Sequence, residues 1–143
     1  MRIAIASDHG GFDLKESIKK HLKARGEDVT DMGTYSSESV DYPVFGNVCA
    51  QAVISESADR GIVICGTGIG ISIAANRNKG IRCALCTDTY MAEMSRKHNN
   101  ANMLALGGRV TGTDRALEIV DTWLTTDFEG GRHQRRVDML DSI

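Results

Sequence analysis

The chain has 143 residues, of which 41% are hydrophobic and 25% charged, as is ordinary for one globular domain that can bury its own core. A formal net charge of −2 argues against nucleic acid or an anionic membrane as the main partner, because both attract a clustered basic surface. No apolar run approaches the roughly 20 residues that span a bilayer. The four cysteines lie among apolar residues, so we expect a cytoplasmic protein with reduced thiols.

Five short apolar runs predict β-strands in chain order. They are Ile3–Ser7, Asp28–Asp31, Gly61–Cys65, Cys83–Thr87 and Met103–Gly107. Three of these runs are almost continuously apolar, which is typical of strands that are covered on both faces of a parallel sheet.

Amphipathic stretches between the runs predict helices. The first places apolar residues at helical spacing over Leu14–Leu22. A second opens with Pro43 in its first turn, and a third ends at His98. A fourth follows Thr113, which we expect to cap it.

This alternation of strands and helices predicts a single α/β domain over residues 1–143. We expect a three-layer αβα, Rossmann-like fold with a doubly wound, parallel, five-stranded sheet and a C-terminal helical tail. In such sheets ligands bind beyond the carboxyl ends of the strands. Functional residues are therefore expected directly after strands, at Asp8, His9, Gly66–Gly70, Asp88 and Arg109.

The segment from Gly61 to Ser72 is the most informative part of the sequence. A buried strand ends at Cys65, three alternating glycines follow, and a helix is expected to begin near Ser72. The backbone N–H groups of such a loop can hold a phosphate or an oxyanion. The spacing matches neither the dinucleotide fingerprint nor the P-loop, and Ile71 stands where a phosphatase loop of the Cys-x5-Arg type has its arginine.

Two interpretations of Cys65 remain open on this evidence. Backbone donors at a helix N-terminus stabilise a thiolate, which would make Cys65 a usable base near neutral pH. Alternatively, Cys65 is a small buried apolar residue at the end of a strand.

The remaining candidates also have a structural and a functional interpretation each. Asp8 either binds a ligand or caps a helix, and His98 is either an acid/base group or a hydrogen-bonded helix end. Arg132 and Arg136 share one face if the tail is helical, and paired guanidinium groups suit a phosphate, whereas the alternative is a basic tail that is simply solvated.

No metal site is predicted. Cys83 and Cys86 are three apart in a strand, so their side chains point to opposite faces. The spacing of Asp8, His9 and His98 does not specify a metal either.

Four segments together carry a resemblance to a known family. In chain order they are Asp8–Gly11, Cys65–Ser72, His98-Asn99 and Glu129–Arg136, and they closely resemble type B ribose-5-phosphate isomerases over nearly the whole chain. The resemblance implies an aldose–ketose isomerase that interconverts D-ribose 5-phosphate and D-ribulose 5-phosphate in the non-oxidative branch of the pentose phosphate pathway, with no cofactor and no metal.

The resemblance also implies roles for individual residues. Cys65 is expected to be the proton acceptor and His98 the acid/base that opens the sugar ring, with Thr67 as a further catalytic residue. Some members of the family instead use a glutamate at the position of Ile71, so this chain resembles the cysteine subtype. The residues expected to bind substrate are Asp8, His9, Gly66, Thr67, Gly68, Ile69, Gly70, Asn99, Arg109, Arg132 and Arg136.

Members of this family assemble as homodimers or dimers of dimers with shared active sites. The resemblance therefore implies that the tail, from about residue 128, packs on a neighbouring subunit. Two alternatives remain: an isomerase of a hexose 6-phosphate such as allose or galactose 6-phosphate, and a non-catalytic module that binds phosphate or nucleotide.

Overall fold

The computed structural model describes all residues from 1 to 143. Its five strands are β1 (Arg2–Ser7), β2 (Asp28–Asp31), β3 (Arg60–Cys65), β4 (Cys83–Leu85) and β5 (Met103–Gly107). Its six α-helices are α1 (Phe12–Ala24), α2 (Tyr42–Ile54), α3 (Ile69–Asn76), α4 (Thr89–Lys97), α5 (Thr113–Thr125) and α6 (Arg132–Asp141). A short 3-10 helix, His9–Gly11, precedes α1.

All strand pairs are parallel, and the strand order is β2-β1-β3-β5-β4. The chain leaves β1 toward β2 on one side, whereas β3 and the later strands lie on the other side. This change of direction places a topological switch point between β1 and β3, where open α/β sheets bind their ligands. The predicted doubly wound, five-stranded parallel sheet with a helical tail is confirmed.

Two apolar layers hold the helices on the sheet. Helices α1, α4 and α5 cover one face, where Trp123 is completely buried among the side chains of the odd positions of β1 and the even positions of β3 and β5. Helices α2 and α3 cover the opposite face, where Cys49 and Ile71 are buried. Truncating a buried residue such as Trp123 to alanine typically costs about 3–5 kcal/mol. None of the helices has both the length and the apolar character needed to cross a bilayer.

A buried ion pair lies at the carboxyl end of β2. The ammonium group of Lys15 is completely buried, and it donates to both carboxylate oxygens of Asp31, at 2.6 and 2.8 Å, and to the carbonyl of Thr34 at 2.6 Å. Burial raises the pKa of Asp31, but the hydrogen bonds from Lys15 and Lys19 outweigh burial and hold that pKa below its usual value. The pair ties α1 to the segment that follows β2.

The free edge of β4 is covered by a side chain. The Asn76 amide group accepts from the Cys83 N–H at 2.8 Å and donates to the Cys83 carbonyl at 2.9 Å. It therefore makes the two hydrogen bonds that a neighbouring strand would make at this position.

Strands β1 and β3 each begin one residue earlier than predicted, and three further boundaries differ from the structure. Strand β4 ends at Leu85, two residues early, because this edge strand pairs only with β5. Helix α3 begins at Ile69 and not near Ser72, because Gly68 adopts a left-handed conformation with a φ of 82° that turns the chain directly into the helix. Thr113 is the first residue of α5 and not its cap.

Candidate active site

The loops after β1, β3 and β5 pack closely against one another at the carboxyl edge of the sheet. A Cβ atom on Gly107 would lie 2.6 Å from the backbone C and O atoms of Thr67, and one on Gly108 would lie 2.7 Å from the carbonyl oxygen of Gly10. These distances leave no room for a side chain at either position. Glycine is required there because neighbouring backbones occupy the space.

Arg109 lies over the junction of these loops. Its backbone N–H donates to the Gly66 carbonyl at 2.9 Å, and its guanidinium Nη1 atom lies 3.0 Å from where a Gly66 Cβ would be. The side chain is exposed and its guanidinium group makes no hydrogen bond within the chain. Its donors are therefore available to an anionic ligand at the predicted edge of the sheet.

Cys65 ends β3 and is only 5% exposed. Its Sγ atom accepts a hydrogen bond from the backbone N–H of Gly68 at 3.2 Å. A donor aimed at sulfur at the start of a helix stabilises a thiolate more than a thiol. The hydrogen bond therefore supports the interpretation of Cys65 as an acid/base group. The burial of Cys65 is what the alternative, an apolar residue at the end of a strand, also requires.

The other three cysteines have a different environment. The thiol of Cys49 donates to the carbonyls of Ala4 and Ile62, and the thiol of Cys86 donates to that of Ala84. Burial raises the pKa of Cys49 to about 12 and that of Cys86 to about 11, and burial also raises the pKa of Cys83. These thiols stay protonated near neutral pH. Cys65 differs from them because its sulfur accepts a hydrogen bond from a backbone N–H group.

Asp8 and His9 follow β1 at the same edge. Asp8 is buried and its Oδ1 accepts from the Gly11 N–H at 3.1 Å, which confirms that it caps the first helical turn. His9 Nδ1 accepts from the backbone N–H of Val40 at 3.1 Å. A neutral His9 ring therefore carries its proton on Nε2 and can donate it to a ligand.

Sequence reasoning missed Val40 and Tyr42 as residues of this edge. Val40 sets the orientation of His9, and the Tyr42 ring packs so closely on Gly70 that a Cβ there would lie 2.6 Å from its Cε1 atom. Both belong to the stretch between β2 and the first turn of α2, which has no apolar periodicity. The only sequence signal for such neighbours was the alternating glycines of the loop after β3. Each of them lies where another residue packs against the backbone.

Thr67 is exposed within the glycine loop. Its Oγ1 accepts from the backbone N–H of Ile69 at 3.2 Å, which orders the turn into α3. The hydroxyl hydrogen remains free to donate to a ligand.

His98 and Asn99 lie at the opposite, amino-terminal edge of the sheet. Helix α4 starts after β4 at the carboxyl edge and runs back, so that His98 follows its last turn. The turn after it meets the start of β3, where the Gly61 N–H donates to the Asn102 carbonyl at 3.1 Å. Gly61 is four residues before Cys65 in β3, so this turn and Cys65 are separated by about 13 Å along the strand, at about 3.3 Å per residue.

The tail forms α6, as predicted, and packs on that same edge of its own chain. The rings of His98 and His133 are stacked with centroids 4.2 Å apart and planes 12° from parallel. Arg132 and Arg136 are both exposed and lie one helical turn apart. Packing of the tail on a neighbouring subunit stays a prediction.

Glu129 completes a cluster with the stacked histidines, and the ligand atoms of His98, Glu129 and His133 lie within 4.8 Å of one another. Nearly parallel rings direct their in-plane lone pairs side by side, whereas a metal needs lone pairs that converge on one point. Burial, His98 and Arg132 lower the pKa of His133. We therefore interpret the cluster as a histidine pair with a nearby carboxylate.

The structure thus divides the predicted site residues into two groups. The carboxyl-edge group contains Asp8, His9, Cys65, Gly66, Thr67, Gly68, Ile69, Gly70 and Arg109. The amino-edge group contains His98, Asn99, Arg132 and Arg136. A trio of Asp8, His9 and His98 does not form within one chain, so these residues cannot share a metal there.

Known proteins resemble this chain over its full length. The family model described as Ribose/Galactose Isomerase matches residues 3–140. Ribose-5-phosphate isomerase B of Escherichia coli (strain K12) is 51% identical over 142 residues, which make up 99% of this chain and 95% of the relative.

Solved structures match equally well. The structure of ribose-5-phosphate isomerase B from Clostridium thermocellum has a TM-score of 0.99 and 61% identity, and the match covers 99% of this chain and 96% of the other. That of Mycoplasma genitalium ribose-5-phosphate isomerase B with bound ribulose 5-phosphate has a TM-score of 0.94 and 44% identity, over 98% and 93% of the two chains. The chain belongs to the ribose/galactose isomerase family, as the four sequence segments predicted.

Proposed function

We propose that this chain is a ribose-5-phosphate isomerase that interconverts D-ribose 5-phosphate and D-ribulose 5-phosphate, with Cys65 as the base. The observation that carries the assignment of the base is the hydrogen bond from the Gly68 N–H to Cys65 Sγ. Full-length similarity to ribose-5-phosphate isomerases B supports the reaction and its phosphorylated sugar substrate. The four free thiols fit the proposed cytoplasmic location.

The proposed chemistry moves one proton between two carbons. The Cys65 thiolate removes the C2 proton of the open-chain aldose, and the electron pair passes to the carbonyl oxygen to form an enediolate. The thiol then returns the proton to C1, while a proton moves between the two oxygens, and the ketose results. Aldose and ketose are isomers, so no electrons are gained or lost and the reaction needs no redox cofactor.

The glycine loop would stabilise the enediolate. The N–H groups of Gly68 and Ile69 already donate to Cys65 Sγ and Thr67 Oγ1. Those of Gly66, Thr67 and Gly70 remain available near the start of α3, where the helix dipole adds positive potential. Removing one donor from an oxyanion site typically costs about 2.7–4 kcal/mol of transition-state stabilisation. The Thr67 hydroxyl is available to pass a proton between the substrate oxygens.

Ring opening would precede this step and is assigned to His98. The sugar ring oxygen must gain a proton as its bond to C1 breaks, and the C1 hydroxyl must lose one, so the group there has to donate and accept. A histidine can do both near neutral pH. Arg109, Arg132 and Arg136 would hold the phosphate, and His9 Nε2–H, Asp8 and Asn99 would bind other oxygens of the substrate.

Two copies of the chain are required in this proposal, as a homodimer or a dimer of dimers with shared sites. About 13 Å of β3 separates Cys65 from the turn that follows His98, which is too far for both residues of one chain to reach one pentose phosphate. The carboxyl-edge group of one subunit would therefore meet the amino-edge group and tail of its partner. Exposed apolar side chains near both groups, such as Ile69 and Ile73 on α3 and Leu140 on α6, fit a contact between subunits.

A coupled assay across pentose and hexose phosphates tests the reaction and its base. We expect wild-type protein to convert ribose 5-phosphate faster than allose or galactose 6-phosphate. Cys65→Ala should abolish turnover while ribose 5-phosphate still binds, and Cys83→Ala is the control thiol. Near wild-type turnover of Cys65→Ala would remove Cys65 from the mechanism. Stabilisation by nucleotides without any isomerisation would favour the non-catalytic module.

Mixing two impaired variants tests the shared site. We expect Cys65→Ala to be inactive and His98→Asn to keep only a small residual rate, and their unfolded and refolded mixture to recover activity. Random pairing of dimers makes half of them mixed, each with one intact site, so recovery should approach about one quarter of the wild-type rate. No recovery would show that Cys65 and His98 act within one chain or not together.

A further inference from the structure

Arg82, directly before β4, joins the turn after His98 to the tail helix. Its Nε donates to the Asn99 carbonyl at 3.0 Å and its Nη2 to the Asn100 carbonyl at 3.1 Å. Its Nη1 donates to Asp141 Oδ1 near the end of α6 at 2.7 Å. All three nitrogens of one guanidinium group are thus engaged, and the side chain is only 17% exposed.

The turn that Arg82 holds ends α4 with a left-handed residue. Asn100 has a φ of 46°, in the region that asparagine adopts more readily than other residues with a side chain and that often terminates helices. A second guanidinium supports it from the other side, because Arg96 donates to Asn100 Oδ1 at 3.0 Å and to the Ala101 carbonyl at 2.7 Å.

The main chain of Arg82 fixes the far end of the same turn. Its N–H donates to Asn102 Oδ1 at 2.8 Å, and its carbonyl accepts from the Asn102 N–H at 3.1 Å. Both the side chain and the main chain of Arg82 therefore form hydrogen bonds with the turn. An ordinary surface ion pair has no such set of partners.

We infer that Arg82 is a positioning residue for the proposed isomerisation: it holds His98 and Asn99 in register with the tail helix that carries Arg132 and Arg136. The inference rests on the proposed function. Arg82 acts through the backbone of the turn and needs no contact with substrate. The planar guanidinium group is required because its fork serves three acceptors in fixed directions, which an ammonium group cannot do.

Two variants at Arg82 and one at Asp141 separate the contributions of the Arg82 contacts. Arg82→Gln should lower kcat/KM for ribose 5-phosphate by about 10²-fold, the typical cost of misplacing a catalytic group by about 1 Å. Arg82→Lys, which keeps the charge but not the fork, should fall between Arg82→Gln and wild type. Asp141→Asn releases only the tail and should chiefly raise KM. Arg25→Gln is the matched control, since Arg25 also forms an ion pair, with Asp121 at 3.0 Å, but contacts no proposed site residue.

A double-mutant cycle distinguishes positioning from general destabilisation. If Arg82 acts through His98, then Arg82→Gln in a His98→Asn background should change the residual rate much less than it changes the wild-type rate. Equal losses in both backgrounds, or an Arg82→Gln variant as active as Arg25→Gln, would overturn the inference.

Folding and the parent reaction are checked separately. If Arg82→Gln fails to fold, as judged by thermal unfolding, Arg82→Lys takes its place in the same cycle, with the same criteria. Absence of ribose 5-phosphate turnover in wild-type protein would instead reject the proposed function. The two failures are therefore distinct.

Discussion

Replacing Gly107 by alanine tests whether the packing of the carboxyl-edge loops controls activity. Gly107 is the last residue of β5 and lies behind the glycine loop that follows Cys65. A Cβ there would lie 2.6 Å from the Thr67 C and O atoms and 2.9 Å from its Cα. The obstacle is backbone, which cannot swing aside as a flexible side chain can.

The required shift sets the expected size of the effect. Ordinary contacts of a Cβ begin near 3.4 Å, so the Thr67 backbone must move by about 0.8 Å. A displacement of about 1 Å in a positioned group can cost about 10²-fold in rate, which corresponds to about 2.7 kcal/mol of transition-state stabilisation. We expect Gly107→Ala to lose about this much kcat/KM, and overpacking to cost about 1–3 kcal/mol of the free energy of unfolding.

The assay is isomerisation of ribose 5-phosphate, with urea denaturation of the same preparations. Gly112→Ala is the matched control, because a Cβ at Gly112 meets nothing within 4 Å and its φ of −64° suits alanine. The control should keep wild-type activity and lose less stability than Gly107→Ala, its own loss coming only from alanine being a poorer N-cap than glycine. If Gly107→Ala keeps kcat/KM within about threefold of wild type, the glycine loop is not held in place by this contact and the reasoning fails.

Three further outcomes follow from contacts described above. Asp31→Asn leaves the buried ammonium of Lys15 without its carboxylate and should lower the free energy of unfolding in urea by about 3–5 kcal/mol, whereas Lys15→Met, which removes the buried charge itself, should cost less. Because the pKa of folded His133 lies below that of the unfolded chain, protonation favours unfolding. Wild-type stability should therefore fall more than that of His133→Gln as the pH drops through about 6.5, and parallel pH profiles would contradict this. Arg132→Gln should chiefly raise KM, while Arg135→Gln on the same exposed helix should not; equal effects would argue against a phosphate contact.

The carboxyl-edge group could be predicted from the sequence because its members share one local property. Asp8, Cys65 and Arg109 each follow directly after or lie at the end of an apolar run, and the carboxyl ends of parallel strands meet at one edge. No knowledge of strand order was needed for this. The direction of the strands alone brings these residues together.

The amino-edge group required more than the same rule. His98 follows a helix that runs back from the carboxyl edge, so it lies a full strand length from Cys65. The insertion of β5 between β3 and β4 also has no local signature, because it depends on pairing between distant segments. Similarly, the hydrogen bond from Val40 to His9 joins residues far apart in the chain, and nothing in an aperiodic loop specifies its partner.

The Asn76 side chain on the border of β4 has a consequence for how copies of the chain can associate. A sheet with a free border can recruit another extended segment and grow, which is the route to continuous intermolecular sheets and aggregation. Because the N–H and C=O groups of Cys83 already bond to the Asn76 side chain, they are not available to another strand. Growth of the sheet by a further strand is therefore disfavoured at this position of the β4 border.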